Sequence, residues 1–261
     1  MDENEALSVA ERRMSIIELL ITQERASIAE LAKLFGVSHM TIRRDLGTLA
    51  AERRVDVGRG EARLSHYAGV EPDYAAKQRT NAALKARLAR YAADNFVECG
   101  DVIMLEGGTT VTAMAQYLHR AQRLTVITNG MYTTNELSRL LPETTVICTG
   151  GVLRDTSFTY VGPQVEDLLS TVHARSLFMS ATGFTAASGL TDPNPLEVQA
   201  RRRMAASAER VIALIDSSKF GVTSAIRTAG TKEIDVFVTD SGAPKRELDL
   251  LRRAGVDVHV V

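Results

Sequence analysis

Cysteine is nearly absent from this chain of 261 residues: Cys99 and Cys148 stand far apart, in apolar or strand-like surroundings, and form no C-x-x-C pair. A disulfide framework and a thiolate metal cage are both excluded, and two buried reduced thiols are expected. The five histidines fall at no metal-ligand spacing, so neither a metal nor a cofactor is expected. No apolar run approaches the roughly 20 residues that a bilayer span needs. The N-terminus, with Asp2, Glu3 and Glu5, is acidic and has no apolar core behind it. Export and membrane insertion are therefore not expected, and the expected location is cytoplasmic. Neither sign of charge dominates, with 31 basic against 32 acidic residues. No period of 20 to 50 residues repeats, which excludes a solenoid. The length suits one small module plus one core-forming domain.

The most informative stretch is Val37-Ser38-His39-Met40-Thr41-Ile42-Arg43-Arg44-Asp45-Leu46. Ser38 is an N-cap, accepting from the backbone N–H of Met40 or Thr41, so a helix is expected to start at His39. Ile42, Leu46 and Leu49 follow at spacings of four and three and form one buried stripe. Met40 and Arg44 project from the opposite face, flanked by Thr41, Arg43 and Thr48. Just upstream, Ser27-Ile28-Ala29-Glu30 is a capping box that starts a second helix, and Gly36 supplies the turn between the two. Ile16, Ile17, Leu19 and Leu20 provide a covering helix. Val55 to Leu64 alternates around Gly58-Arg59-Gly60 and reads as a hairpin. The sum is a winged helix-turn-helix over residues 1–65. A plain helical hairpin with arginines on its wet side shares some of these features, but the cap, turn, stripe and Arg pair occur together at the spacing DNA recognition needs.

Charge is segregated along the chain. Between Arg12 and Ser65 there are ten Lys/Arg against seven Asp/Glu, a modest excess that favours phosphate neutralisation. So small an excess implies that a homo-oligomer, a dimer or tetramer, is needed for useful affinity. The residues in play resemble the DNA-binding domain of the DeoR family of bacterial transcription regulators, whose recognition helix reads Val-Ser-x-x-Thr-Ile-Arg-Arg-Asp-Leu. Val37, Ser38 and Thr41 to Leu46 match it, and Leu31, Ala32, Phe35 and Leu49 fit its framework. The wing departs from the family's His-Gly-Gly, carrying Gly58-Arg59-Gly60-Glu61 instead. The DNA-contacting set expected from these readings is Ser38, His39, Met40, Thr41, Arg43, Arg44, Thr48 and Arg59.

Residues 66–80, with Gly69, Pro72 and little apolar periodicity, read as a linker. Beyond it, residues 81–261 alternate helix and strand patterns. A helix runs through Leu84, Leu88 and Tyr91, and another through Val111, Met114 and Leu118. Strands are expected at Val102 to Leu105, Leu124 to Thr128, Val146 to Thr149, Ser176 to Ser180, Val211 to Ile215, Val236 to Thr239 and Val256 to Val261. Short continuous apolar strands separated by helices predict an α/β domain with a largely parallel sheet buried on both faces.

In such a sheet, ligands sit at the carboxyl ends of strands. Those ends carry Glu106-Gly107-Gly108-Thr109-Thr110, Thr128-Asn129-Gly130, Gly150-Gly151 and Asp216-Ser217-Ser218-Lys219-Phe220-Gly221. Small and hydroxyl residues let backbone N–H groups approach an anion, a helix starting at Thr109 or Thr110 adds its positive end, and Lys219 adds a full charge. Each turn taken singly has a structural reading. Four at one sheet edge point to a site the size of a polyol phosphate. Lys77 and Lys85, at the first helix of the domain, are within reach of the same pocket.

These turns resemble the effector-sensing domain of the DeoR family, with its Asp-x-Gly-Thr-Thr, Thr-Asn, Gly-Gly and Asp-x-Ser-Lys-Phe-Gly elements. Lys85, Gly162, Gly183, Gly189, Thr191, Thr239 and Asp240 also fit. Where the family commonly has Asp, this chain has Glu106, one methylene longer. The resemblance implies a sensor similar in fold to sugar-phosphate isomerases, and hence a transcription regulator, expected to repress a carbohydrate-use operon and to leave operator DNA on binding a phosphorylated sugar or polyol. The alternative is an isomerase-like enzyme, with Glu106 as base and Lys219 stabilising an enediolate. Against it, Ala181 to Ser188 contains no ionisable residue, where related isomerases place acids.

Overall fold

The structure, a computed structural model, describes residues 8–23, 25–51, 55–58, 60–64, 71 and 73–261. The chain forms two compact units, Met1–Thr80 and Asn81–Val261.

The first unit contains α1 (Val9–Gln23), β1 (Arg25–Ser27), α2 (Ile28–Phe35), α3 (His39–Ala51), β2 (Val55–Gly58), β3 (Glu61–Leu64) and α4 (Tyr74–Arg79). Ser27 and Glu30 close the capping box reciprocally: Ser27 Oγ accepts from Glu30 N at 3.1 Å, and Glu30 accepts from Ser27 N at 2.8 Å. Gly36 ends α2 in the left-handed conformation that only glycine adopts freely, at φ +63°. Ser38 then caps α3, accepting from Thr41 N at 3.1 Å. Ile42, Leu46 and Leu49 are all but fully buried against Ile16, Ile17, Leu20 and Leu31.

Three local features differ from the sequence expectation. The hairpin β2–β3 gains a third strand, because β1 pairs antiparallel with β3. The stretch read as a linker is partly helical: Asp73 caps α4 by accepting from Ala76 N at 2.6 Å, and Tyr74 and Ala76 are buried. Its residues 66–70 and 72 lie outside the described residues. Lastly, Cys99 is exposed and Cys148 half-buried, so the buried-thiol expectation fails. Cys99 falls in the turn before a strand, where its sulfur accepts from Gln122 N.

The second unit begins with α5 (Ala82–Phe96), β4 (Val102–Leu105) and α6 (Thr109–Thr112), which runs into a 3₁₀ segment, Ala113–Arg120. It continues through β5 (Thr125–Thr128), α7 (Met131–Leu137), β6 (Thr145–Cys148), β7 (Val152–Leu153), β8 (Tyr160–Val161), α8 (Pro163–Leu169) and β9 (Ser176–Met179). The remainder is β10 (Gly183–Thr185), β11 (Gly189–Asp192), α9 (Pro195–Ala206), β12 (Val211–Leu214), β13 (Ile226–Ala229), β14 (Val236–Thr239), α10 (Lys245–Arg253) and β15 (Asp257–Val260).

Seven strands form one sheet in the order β15-β14-β12-β9-β4-β5-β6, and every pairing in it is parallel. The chain winds outward from β4 to β6, then crosses back to β9 and winds the other way. The order therefore reverses between β4 and β9, and a crevice opens there beyond the strand ends. Alternate residues feed two cores: Ile103, Leu105 and Val126 pack with α5 and the 109–120 helical segment, whereas Met104, Ile127 and Leu177 pack with α8 and α9. A smaller antiparallel sheet, β10-β11-β13, and the hairpin β7–β8 were not expected. The strands of the small sheet mix Gly, Thr and charged residues with apolar ones, and those of the hairpin are two residues long, so none shows an extended apolar run. Among the described residues, no helix is long and apolar enough to cross a membrane.

The recognition-helix stripe holds one charge. Asp45 is 1% exposed and is gripped by Arg12 Nε at 2.7 Å and Arg13 Nε at 2.9 Å, both from α1. Removing one partner of such a buried set costs about 3 to 5 kcal/mol. Asp45→Ala is accordingly expected to unfold the first unit at markedly lower urea concentration, read from exchange of the Leu46 and Leu49 amides. A midpoint equal to that of the native chain would contradict the anchoring role.

Candidate functional site

On α3, the side facing away from the core carries His39, Met40, Arg43 and Arg44, all exposed, with Thr41 and Thr48 half-buried at its margins. Ser38 Oγ also lies 2.9 Å from Thr41 Oγ1, and Thr48 Oγ1 donates back to the Arg44 carbonyl at 3.2 Å. Arg43 and Arg44 form no ion pair among the described residues. The two arginines that neutralise Asp45 come from α1, so the acid next to the Arg pair does not cancel its charge at the surface. Seven of the eight residues expected to meet DNA thus lie on or at the start of one helix. Arg59, the eighth, lies outside the described residues.

In the second unit, Glu106 to Thr110 and Ser180 meet at the crevice between β4 and β9. Gly107 and Gly130 pack backbone to backbone: a Cβ on Gly107 would fall 2.8 Å from the Gly130 Cα and 2.6 Å from the Thr159 methyl, so larger residues do not fit. Asn129 stitches the neighbouring turns, accepting from Gly107 N at 3.1 Å and donating to the Tyr160 carbonyl at 3.3 Å. Thr128 Oγ1 accepts from Gly130 N at 3.1 Å. Gly150 and Gly151 lead from β6 into the β7–β8 hairpin. Of the residues expected to bind an effector, Thr128, Asn129, Gly130 and Gly107 thus spend polar groups on each other. The amides of Gly108, Thr109 and Thr110 open the helical segment, where a first turn has no intrahelical acceptor to offer them.

Lysines take different places. Lys219 ends the short 3₁₀ turn Ser217–Lys219 after β12, is half-buried, and forms no ion pair among the described residues. Lys85 is buried on α5. Lys77 belongs to the first unit, where its ammonium lies 2.7 Å from Glu71.

The Glu106 side chain turns inward. Its carboxylate is fully buried, curls beneath Gly108, and accepts from Arg201 Nη2 at 2.6 Å and from Ser180 N at 3.3 Å. Arg201, on α9, also holds Asp192: its Nη1 lies 2.6 Å from Asp192 Oδ1, as a close ion pair rather than an aligned hydrogen bond. One helical turn earlier, Glu197 accepts from Arg154 and, at 2.8 Å, from Thr159. Burial pushes the Glu106 carboxyl above the usual carboxylate range, with Arg201 working against it. Burial acts the same way on Asp192, but Arg201 and the hydroxyl of Thr228 overcome it and hold that group low.

The remaining acids at this end are occupied as well. Asp216 accepts from Ser218 N and from Asn81 Nδ2, each at 3.1 Å, and Asp240 accepts from Ser217 N at 2.7 Å and Gly242 N at 3.0 Å. Glu106, Asp192, Asp216 and Asp240 are each at most 4% exposed. A free carboxylate base of the kind an isomerase needs is therefore not among these four. Arg154, Asp192, Glu197 and Arg201 escaped the reading of the sequence. The Glu197–Arg201 spacing of four was visible, but it equally describes a solvated pair on a helix surface.

Comparison with known proteins agrees with this architecture. Residues 12–66 match the DeoR-like helix-turn-helix domain, and residues 80–241 match the DeoR C terminal sensor domain. The chain is 34% identical over 250 residues to the HTH-type transcriptional regulator GolR of Listeria innocua serovar 6a, covering 96% of this chain and 98% of that protein. It is 33% identical over 261 residues to a putative aga operon transcriptional repressor of Escherichia coli O157:H7, covering 99% and 96%. A solved ribose 5-phosphate isomerase A from Neisseria gonorrhoeae aligns with a TM-score of 0.40 at 15% identity, covering 54% of each chain. The full-length relatives are transcription regulators and not enzymes, which sets the isomerase alternative aside. From its capped recognition helix to its seven-stranded sensor sheet, the chain belongs to the DeoR family of DNA-binding transcription regulators.

Proposed function

We propose that the chain represses a carbohydrate-use operon and leaves its operator when a phosphorylated sugar or polyol fills the crevice between β4 and β9. The observation that carries the effector reading is the division of labour at this end of the sheet: Glu106, Asp192, Asp216 and Asp240 are withdrawn into the protein, while the 108–110 amides and Lys219 are left as donors. Lys219 follows β12, two strands away from β4, a separation of roughly 10 Å at normal strand spacing. A sugar phosphate spans that distance, with its phosphoryl group on one set of donors and its hydroxyls toward the other. Similarity to a putative aga operon transcriptional repressor and to the HTH-type transcriptional repressor GlcR of Bacillus subtilis supports negative control.

On the DNA side, Arg43 and Arg44 are the cations that α3 presents without a carboxylate partner among the described residues. Placed in the major groove, Arg44 contacts base edges or phosphates while Ser38, Thr41 and Thr48 support the helix ends. The protein acts as a homo-oligomer, since two such helices are needed to read a symmetric operator. Release is a population shift: the effector binds more tightly to the arrangement with low DNA affinity, because equal affinity for both would shift nothing.

Two substitutions test the halves separately. Arg44→Ala is expected to weaken operator binding at least ten-fold in a gel-shift titration while phosphate-ester affinity, read by calorimetry, stays within two-fold. Unchanged gel-shift affinity would remove α3 from the groove. Lys219→Ala is expected to bind operator like the native chain yet need at least ten-fold more ester for release. If it releases at the native concentration, Lys219 is not in the pocket.

A further inference from the structure

We propose that Arg201 is the positioning residue of the anion turn: by holding the Glu106 carboxylate behind Gly108, it fixes where the 108–110 amides point. The inference rests on the reading of that turn as the effector site, and it concerns a residue on α9, 95 positions along the chain from Glu106. The backbone of Gly107 and Gly108 is braced from two sides. A Cβ on Gly108 would fall 2.7 Å from Glu106 Oε2, so the glycine rests directly on the carboxylate. Gly107 rests on the Thr159 methyl, at 2.6 Å from an equivalent Cβ. Both braces lead to α9. Glu106 is held by Arg201 Nη2 at 2.6 Å, and Thr159 donates to Glu197 at 2.8 Å, one turn before Arg201 on the same helix.

Arg201 is itself fixed. Asp192 lies 2.6 Å from its Nη1, and Glu197 lies 3.8 Å from its Nη2. Asp192 in turn accepts from Thr182 N and Thr182 Oγ1, at 2.9 and 3.0 Å, so the same guanidinium orders the loop after β9 on the other side of the crevice. A planar, two-pronged cation is required to reach two carboxylates at once, and a lysine ammonium is a poor substitute. Glu106 belongs to the brace, with one oxygen on Arg201 and the other on Ser180 N, and its side chain is fully buried. The length of Glu is what lets it reach; an Asp there stops one methylene short of Arg201.

The test uses the full chain as Arg201→Met, Arg201→Lys, Glu106→Asp and Glu106→Gln. Its first readout needs no ligand: exchange of the Gly107 and Thr112 amides, bonded to Asn129 Oδ1 and to the Gly108 carbonyl, against the Ile215 amide in the sheet. Arg201→Met and Glu106→Asp are expected to speed exchange at Gly107 and Thr112 at least ten-fold while Ile215 changes less than two-fold. Arg201→Lys is expected to fall between Arg201→Met and the native chain. Equal acceleration at all three amides would mark Arg201 as merely structural and overturn the proposal. The second readout is calorimetry with inorganic phosphate and a panel of hexose and polyol phosphates. Native affinity in Glu106→Asp with abolished affinity in Glu106→Gln, and with exchange unchanged, would make Glu106 a ligand and overturn it too. If no ester binds the native chain, the effector reading fails, and the local exchange result still decides whether Arg201 shapes the turn.

Discussion

A guanidinium buried among three carboxylates holds the sensor unit's crevice in shape. Arg201 is 8% exposed and lies between Glu106, Asp192 and Glu197, which are at most 2% exposed. Taking these charges out of water costs several kcal/mol per ion, a cost that only close, many-partnered geometry offsets. That demand explains why β4, the loop after β9, β11, the β7–β8 hairpin and α9 all send a polar group to one point. The small sheet β10-β11-β13, which looks like an appendage to the main fold, exists at this point as the support of Asp192, with Thr228 of β13 donating to it at 2.6 Å.

The same device appears at smaller scale under the recognition helix. Asp45 would otherwise lie beside Arg43 and Arg44 and screen them, but Arg12 and Arg13 draw it into the core. In both units, then, acids near a working face are turned inward onto arginines, and the face is left with donors and cations. A surface of that kind suits anions: the duplex backbone in the first unit and, in the function proposed above, a phosphate ester in the second. The nearly neutral composition of the chain conceals this, because its acids and bases are sorted by depth as well as by domain.

Much of the fold was legible in the sequence for a physical reason. Seven four-residue strands, the central ones almost wholly buried and the edge strands β6 and β15 only partly, are separated by helical patterns and carry a strong hydrophobic signal, and all seven lie within about one residue of where the apolar runs place them. Caps are equally local, so Ser27, Glu30, Gly36 and Ser38 act where their spacing put them. Partners distant along the chain are a different matter. Glu106 and Arg201 are 95 residues apart, and Arg12 and Asp45 are 33 apart. No periodicity announces such pairs. Of the Arg201-Arg202-Arg203 run, only the first member is buried, and nothing in the run itself marks which one that is. For the same reason its own loop shows Glu106 only as a candidate effector contact, and the bond from Arg201 on α9 is visible only in the folded chain. Lys77, placed near the pocket by proximity in sequence to α5, sits in the other unit.

The central claim is that two sets of anions, one of DNA and one of a small ester, compete through donor faces from which acids have been withdrawn. Fluorescence anisotropy of the full chain on a duplex from its own promoter region, across a salt series with and without hexose and polyol phosphates, tests it most directly. Four arginines from two recognition helices set a minimum slope of roughly −3 to −4 in log affinity against log salt, and at fixed salt at least one ester should lower the affinity. A flat salt response, or indifference to every phosphate ester at each salt concentration, would contradict the claim.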